Sequence, residues 1–218
     1  MEILSVKFGP LAILLAFAVP AVVYVATIHL LPYKGDFIIK SLPVIILAIA
    51  SWIYIPGTAG KLLFAGLLLS SGGDISLSFE GDKFFISGLS FFLLAHVVYI
   101  IAFARDFEYD PGKLPIAIAL AVFGIAMAVI LYPKLGEMRL PVFVYISVIM
   151  AMGIAATFWT GPKPVLLLVG AIVFMLSDSM IAVNKFLVEV SWSKYFIMIT
   201  YYAAQAMIWM SFIKPKMG

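Results

Sequence analysis

Long apolar runs broken by short polar turns set the pattern of this chain. A helical bilayer span needs about 20 predominantly apolar residues. Eight stretches qualify, over residues 8–31, 37–55, 60–80, 83–105, 114–132, 140–159, 163–187 and 193–213. The breaks carry turn and charge signals, among them Pro32-Tyr33-Lys34-Gly35-Asp36, Pro56-Gly57, Glu80-Gly81-Asp82-Lys83 and Gly161-Pro162-Lys163-Pro164. Alternating segments of about 10 residues, the mark of a membrane β-barrel, are absent. The pattern predicts an all-α fold: a polytopic membrane helical bundle of eight transmembrane helices, both termini on the same side. All breaks are short, so residues 1–218 read as a single eight-span transmembrane domain.

Composition agrees. The chain is 65% hydrophobic and 11% charged, against usual apolar usage of about 45–50%. This excludes a soluble domain and implies an integral, multi-pass membrane protein, in the cell membrane if the host is prokaryotic. A net charge of +3 fits basic loops and does not point to nucleic acid. With no cysteine there is no disulfide framework, thiolate metal site or cysteine nucleophile. Met1 to Lys7 lacks the basic region of a signal peptide, so the first apolar run is expected to remain as a span.

Call the side of the termini A and the other B. Side A holds Lys7, Lys61, Arg105, Lys113, Lys163, Lys214 and Lys216. Side B holds Lys34, Lys83, Lys134, Arg139 and Lys194, with Lys40 and Lys185 inside spans. The positive-inside rule leans to side A as cytoplasmic.

Two carboxylates interrupt the apolar runs. Asp74 sits in "LLFAGLLLSSGGDISLSF" and Asp178 in "LLLVGAIVFMLSDSMIAVNKF". An aspartate at the bilayer centre costs about 2.5–3.5 kcal/mol on insertion scales, so each needs a partner or a task. At 1.5 Å per residue, Asp74 lies about 9 Å from Glu80, and Asp178 about 10 Å from Lys185, both counted from side B. Tyr145 is about 9 Å in from Arg139, and Tyr202 about 12 Å in from Lys194. Lys40 is shallow and His96 deep. The polar groups therefore collect in the side B half, and the two aspartates are expected to face each other on adjacent helices. A cavity lined by spans two, three, four, six, seven and eight should open toward side B or sideways to lipid. Gly66, Ser70 and Gly73 form a small-residue stripe that admits a close neighbouring helix. Gly88, Phe92, His96 and Tyr99 share one face of span four; Tyr202, Gln205 and Trp209 share one of span eight. The acidic stretch from Arg105 to Asp110 reads as a solvated loop.

Paired carboxylates away from water suit acid/base chemistry, one holding a proton while the other orients water. The apolar neighbours Phe174, Met175 and Ile181 favour Asp178 as the acid over Asp74, which sits among Ser70, Ser71 and Gly72. One His and two distant Asp make no convincing zinc site, so no metal is expected. The competing readings are a structural network pairing the aspartates with Lys40 and Lys185, and a proton-coupled transporter or lipid-binding membrane protein using Asp74, Asp178 and His96 as a relay. An intramembrane aspartyl protease fits less well, because Asp178 follows Ser177 where a Tyr-Asp is needed.

In order along the chain, "SSGGDISLSF", "FFISGLSFFLLAHVVY", "VGAIVFMLSDSMIAVNKF" and "YYAAQAMIW" together resemble the YhhN-like membrane proteins, whose animal members are lysoplasmalogenases. The resemblance covers nearly the whole chain. It implies hydrolysis of the vinyl ether bond of a lysoplasmalogen to a fatty aldehyde and glycerophosphoethanolamine or glycerophosphocholine. The implied catalytic pair is Asp74 and Asp178. Residues implied to meet substrate are Lys40, Ser70, His96, Tyr99, Tyr145, Ser177, Lys185, Tyr202 and Gln205, with Lys40 and Lys185 toward the phosphate. No cofactor is implied. The expected partners are a single-chain ether phospholipid and surrounding membrane lipid, with no nucleic acid and no obligate protein partner.

Overall fold

The computed structural model describes residues 9–214. Lys7 and Lys216, and the reading of Met1 to Lys7, lie outside the described residues. Eight α-helices occupy the eight apolar stretches: α1 (Pro10–Thr27), α2 (Asp36–Tyr54), α3 (Gly57–Ser76), α4 (Asp82–Ala104), α5 (Leu114–Leu131), α6 (Arg139–Thr157), α7 (Pro164–Phe186) and α8 (Ser193–Ser211). Local chemistry sets their ends. Pro10 and Pro164 open α1 and α7, where the missing N–H costs nothing. Gly57, at φ 72°, lets the chain reverse from α2 into α3 through two intervening residues.

Six of the eight helices are long and apolar enough to cross a membrane; α3 and α8 are not among them. Their shortfall comes from Ser70, Ser71, Gly72, Gly73 and Asp74 on α3, and Tyr201, Tyr202 and Gln205 on α8. Every one of those residues except Gly72 is buried. Apolar side chains cover the outside instead. Leu15, Val19 and Val22 on α1, and Val122, Ile125 and Val129 on α5, are well over half exposed. Such belts need lipid to cover them.

Neighbour relations run α1–α2–α3–α4–α6–α7–α8, and α8 closes the ring on α2 and α1. Helix α5 stands outside this ring, against α6 and more lightly α7. The small-residue stripe works as expected: the Tyr99 ring of α4 lies over Gly66, and the Phe92 ring over Gly73, where a methyl would meet Cε2 at 2.5 Å. The 105–110 stretch is exposed throughout, as read from the sequence. It is also tied to the α6–α7 turn: Glu108 N–H donates to Phe158 O at 3.0 Å and Thr160 N–H to Asp106 O at 2.9 Å. Trp159 in that turn is fully buried.

Candidate active site

The ring interior is polar at two places, each centred on one aspartate. Asp74 is 2% exposed and accepts a hydrogen bond from Tyr201 Oη on α8 at 2.7 Å. Lys40 of α2, also buried, lies within its charge field. Tyr202 Oη donates to the Lys40 carbonyl at 2.7 Å, tying α8 to α2 rather than facing a cavity. One turn deeper, Tyr99 Oη donates to Gln205 Oε1 at 2.9 Å and lies against Ser70. These bonds knit α2, α3, α4 and α8 together.

The second place is built by α4, α6 and α7. Tyr145 Oη donates to Asp178 Oδ2, and His96 Nε2 stands 3.8 Å from the same oxygen. His96 is fully buried, with neither ring nitrogen hydrogen-bonded among the described residues. Its ring is held edge-on by Phe174, centroids 4.8 Å apart, and by Tyr145 at 5.4 Å. Ser177, beside Asp178 in sequence, donates to Ile197 O at 3.0 Å and joins α7 to α8.

The aspartates are not on adjacent helices, as expected from their depths, for α3 and α7 do not pack as neighbours. They point into one interior, close enough for Asp178 to sense the charge of Asp74. Phe92, Phe174 and Tyr201 meet between the two places with centroids 5.5–6.2 Å apart. Tyr201 is the functional candidate that sequence reasoning undervalued. Its signal was available: Tyr201 and Gln205 are i, i+4 on α8, one helical face.

A narrow pocket of about 60 Å³ reaches Asp178 and Tyr145 but not Asp74. Its walls are Phe85, Leu89 and Phe92 of α4, Phe123 and Met127 of α5, residues of α6 and α7, and Leu77 after α3. Spans two and eight contribute nothing to it, contrary to the expected lining, and α5 does. The reason is packing: α2 and α8 spend their polar groups on each other and on α3 and α4, leaving no gap. Gly124 of α5 and Ala182 of α7 both line the pocket, and Gly124 packs closely on Met150 of α6. The polar side chains of the pocket are Tyr145, Asp178 and Ser179. All of its walls lie in the side B half or near the midplane. A larger, shallow hollow of about 370 Å³ lies at the α2–α3 turn on side A, bordered by Lys61 and no other candidate.

Of the residues singled out from sequence, the structure brings His96, Tyr145 and Asp178 together, and separately Lys40 and Asp74, with Tyr202 on the Lys40 main chain. Ser70, Tyr99, Ser177 and Gln205 are buried in interhelical contacts outside the pocket. Lys185 lies at the side B end of α7, where its Nζ pairs with Asp82 at 3.0 Å. Among the described residues no three His, Asp or Glu gather into a metal-binding group.

A family model described as the YhhN family matches residues 35–212, which hold both aspartates and every residue named above. The chain belongs to the YhhN family. Among curated relatives, Lysoplasmalogenase TMEM86B of Homo sapiens is 34% identical over 181 residues, 81% of this chain and 75% of that one. Lysoplasmalogenase TMEM86A of Bos taurus is 33% identical over 166 residues, 71% of this chain and 66% of that one. Lysoplasmalogenase of Mycobacterium tuberculosis is 32% identical over 160 residues, 68% and 59%. The matches span between 59% and 75% of the length of these relatives. No solved structure matches the chain.

Proposed function

We propose that this protein is a membrane hydrolase that cleaves the vinyl ether bond of a single-chain ether phospholipid, a lysoplasmalogen. The products are a fatty aldehyde and glycerophosphoethanolamine or glycerophosphocholine. The observation that carries the reading is Asp178, which stands in an apolar pocket in a chain whose relatives are named lysoplasmalogenases. The eight helices act as one membrane domain, with α3 and α8 turning their polar faces into the ring they share with more apolar neighbours.

A vinyl ether, R–CH=CH–O–R′, hydrolyses by protonation of the carbon distal to oxygen. In this reading the Asp178 carboxyl gives that proton, forming R–CH2–CH=O⁺–R′. Water adds to the cation and returns its proton to Asp178, so the residue is acid and then base. The hemiacetal R–CH2–CH(OH)–OR′ collapses to R–CH2–CHO and HO–R′. Tyr145 holds the Asp178 carboxyl in place, with His96 packed beside it. The Asp74 carboxylate, steadied by Tyr201, favours the cation by its charge from across the aromatic partition. Lys40, buried beside Asp74, balances that carboxylate rather than reaching phosphate.

The alkenyl chain lies among α4, α5 and α6, and the head group points to side B. Lys185 stands seven residues beyond Asp178, about 10 Å along the helix. This suits a phosphate separated from the reacting bond by glycerol. The test is aldehyde release by purified protein from a panel of alkenyl, alkyl and acyl lysolipids. Release from the alkenyl members alone supports the reading; no release, or release from acyl lipids only, overturns it.

A further inference from the structure

At the side B mouth of the pocket, α4 and α7 meet through three contacts that no other part of the site uses. Lys185 Nζ pairs with Asp82 Oδ1 at 3.0 Å. The same ammonium lies over the Phe85 ring, 5.0 Å from its centroid. Phe85 and Phe186 meet edge to face at 5.8 Å, and both line the pocket. Asp82 is the first residue of α4, and its side chain is 84% exposed; that of Lys185 is 40% exposed. The latch therefore sits in water over an apolar entrance. An exposed pair of this kind is worth at most about 1 kcal/mol, weak enough to exchange.

We propose that Asp82 is an internal stand-in for the substrate's phosphate: it holds Lys185 over the mouth and yields it to the incoming head group. This rests on the functional reading above and adds a specificity residue to it. A phosphodiester carries one negative charge, as a carboxylate does, but it arrives tethered to a chain held in the pocket, so its high local concentration lets it displace the weakly held, exposed Asp82 from Lys185. Release of Asp82 frees α4 from α7 at the pocket rim. A lipid lacking the phosphate makes no use of Lys185 and is indifferent to the pair. Asp82 thus lowers affinity for phosphate-bearing head groups alone.

The test uses binding, so that it is decided whether or not the protein turns over vinyl ethers. The probes are a saturated alkyl-ether lysophospholipid, which has no double bond to protonate, and the matching alkylglycerol without phosphate. Both are titrated into the full-length protein in a neutral detergent. Asp82→Asn keeps a helix-start side-chain oxygen and removes the charge. It is expected to tighten the phosphate-bearing probe by about two- to five-fold, the worth of an exposed pair. Lys185→Met should weaken that probe, and adding D82N to K185M should bring no gain. The alkylglycerol should respond to neither change. Inorganic phosphate at the same concentration should not displace the probe. Unchanged or weaker binding in D82N, equal tightening for both probes, or displacement by free phosphate would overturn the proposal. Absence of vinyl ether turnover in the wild type would instead count against the functional reading.

Discussion

Tyr201 on α8 donates its hydroxyl hydrogen to Oδ2 of Asp74 on α3, at 2.7 Å and across 127 positions of sequence. Tyr145 on α6 does the same for Asp178 on α7. Each aspartate thus has its own tyrosine from another helix, and the pocket touches one of the two pairs. That asymmetry separates the roles and makes them testable. A hydrogen bond to a charged group is worth about 1.5–3 kcal/mol. Tyr145→Phe is expected to lower kcat by about tenfold or more, with little change in the thermal midpoint. Tyr201→Phe should cost stability and leave a larger share of kcat. Steady-state kinetics beside detergent melting curves check both.

Asp178→Asn keeps size and polarity and removes the proton donor. General acid–base catalysis contributes about 10²- to 10⁴-fold, and kcat should fall in that range. Binding of a saturated ether lysophospholipid should be retained. Asp74→Asn should also reduce kcat, but by less, because Asp74 acts from beyond the aromatic partition. Equal loss in the two variants would place both carboxylates at the reacting atoms.

Lys40 separates a structural role from a substrate role. Lys40 is buried and makes no direct ion pair with Asp74 among the described residues, but its charge offsets that carboxylate, and a buried charge left uncompensated is costly. Lys40→Met should therefore lower the thermal midpoint sharply and leave KM close to that of the wild type, since a lost ground-state contact would show in KM. A raised KM with an unchanged melting temperature would return Lys40 to the phosphate.

The helix framework was legible because span length and turn chemistry act locally. All eight helices fall where the apolar runs stand, and the Gly66, Ser70, Gly73 stripe named the face on which α4 lies. Depth counting put the two aspartates at matched depth. It could not tell which helices are neighbours, since rise along an axis carries no information about the ring order. Asp74 and Asp178 are level, yet α3 and α7 do not pack on each other. The pocket was misplaced for the same reason: α5 has almost no polar residue to mark it, and its contribution is the apolar wall of Phe123, Gly124 and Met127. The sequence reading pairs Lys185 with a buried aspartate or with the phosphate; its partner in the structure is Asp82, 103 positions away.

Close packing of α3 on α4 gives a further check. Gly73→Ala would place a methyl 2.5 Å from Phe92 Cε2, and Phe92 is held between Phe174 and Tyr201. Overpacking of this kind costs about 1–3 kcal/mol. The variant should melt at lower temperature. Ala182→Phe instead fills the pocket beside Asp178, and should abolish turnover of long-chain substrate while the thermal midpoint holds or rises. A variant at Ala182 with full activity would mean that the chain lies elsewhere.

The central claim is carbon protonation by a carboxyl in this pocket, and the label carried by the product tests it most directly. Purified protein is given an alkenyl lysophospholipid in D2O, and the released aldehyde is trapped at once and read by mass spectrometry. The account predicts one deuterium at the aldehyde carbon next to the carbonyl, a slower rate than in H2O, and loss of the reaction in Asp178→Asn. Aldehyde released without deuterium at that carbon would contradict it, whichever residue supplies the proton.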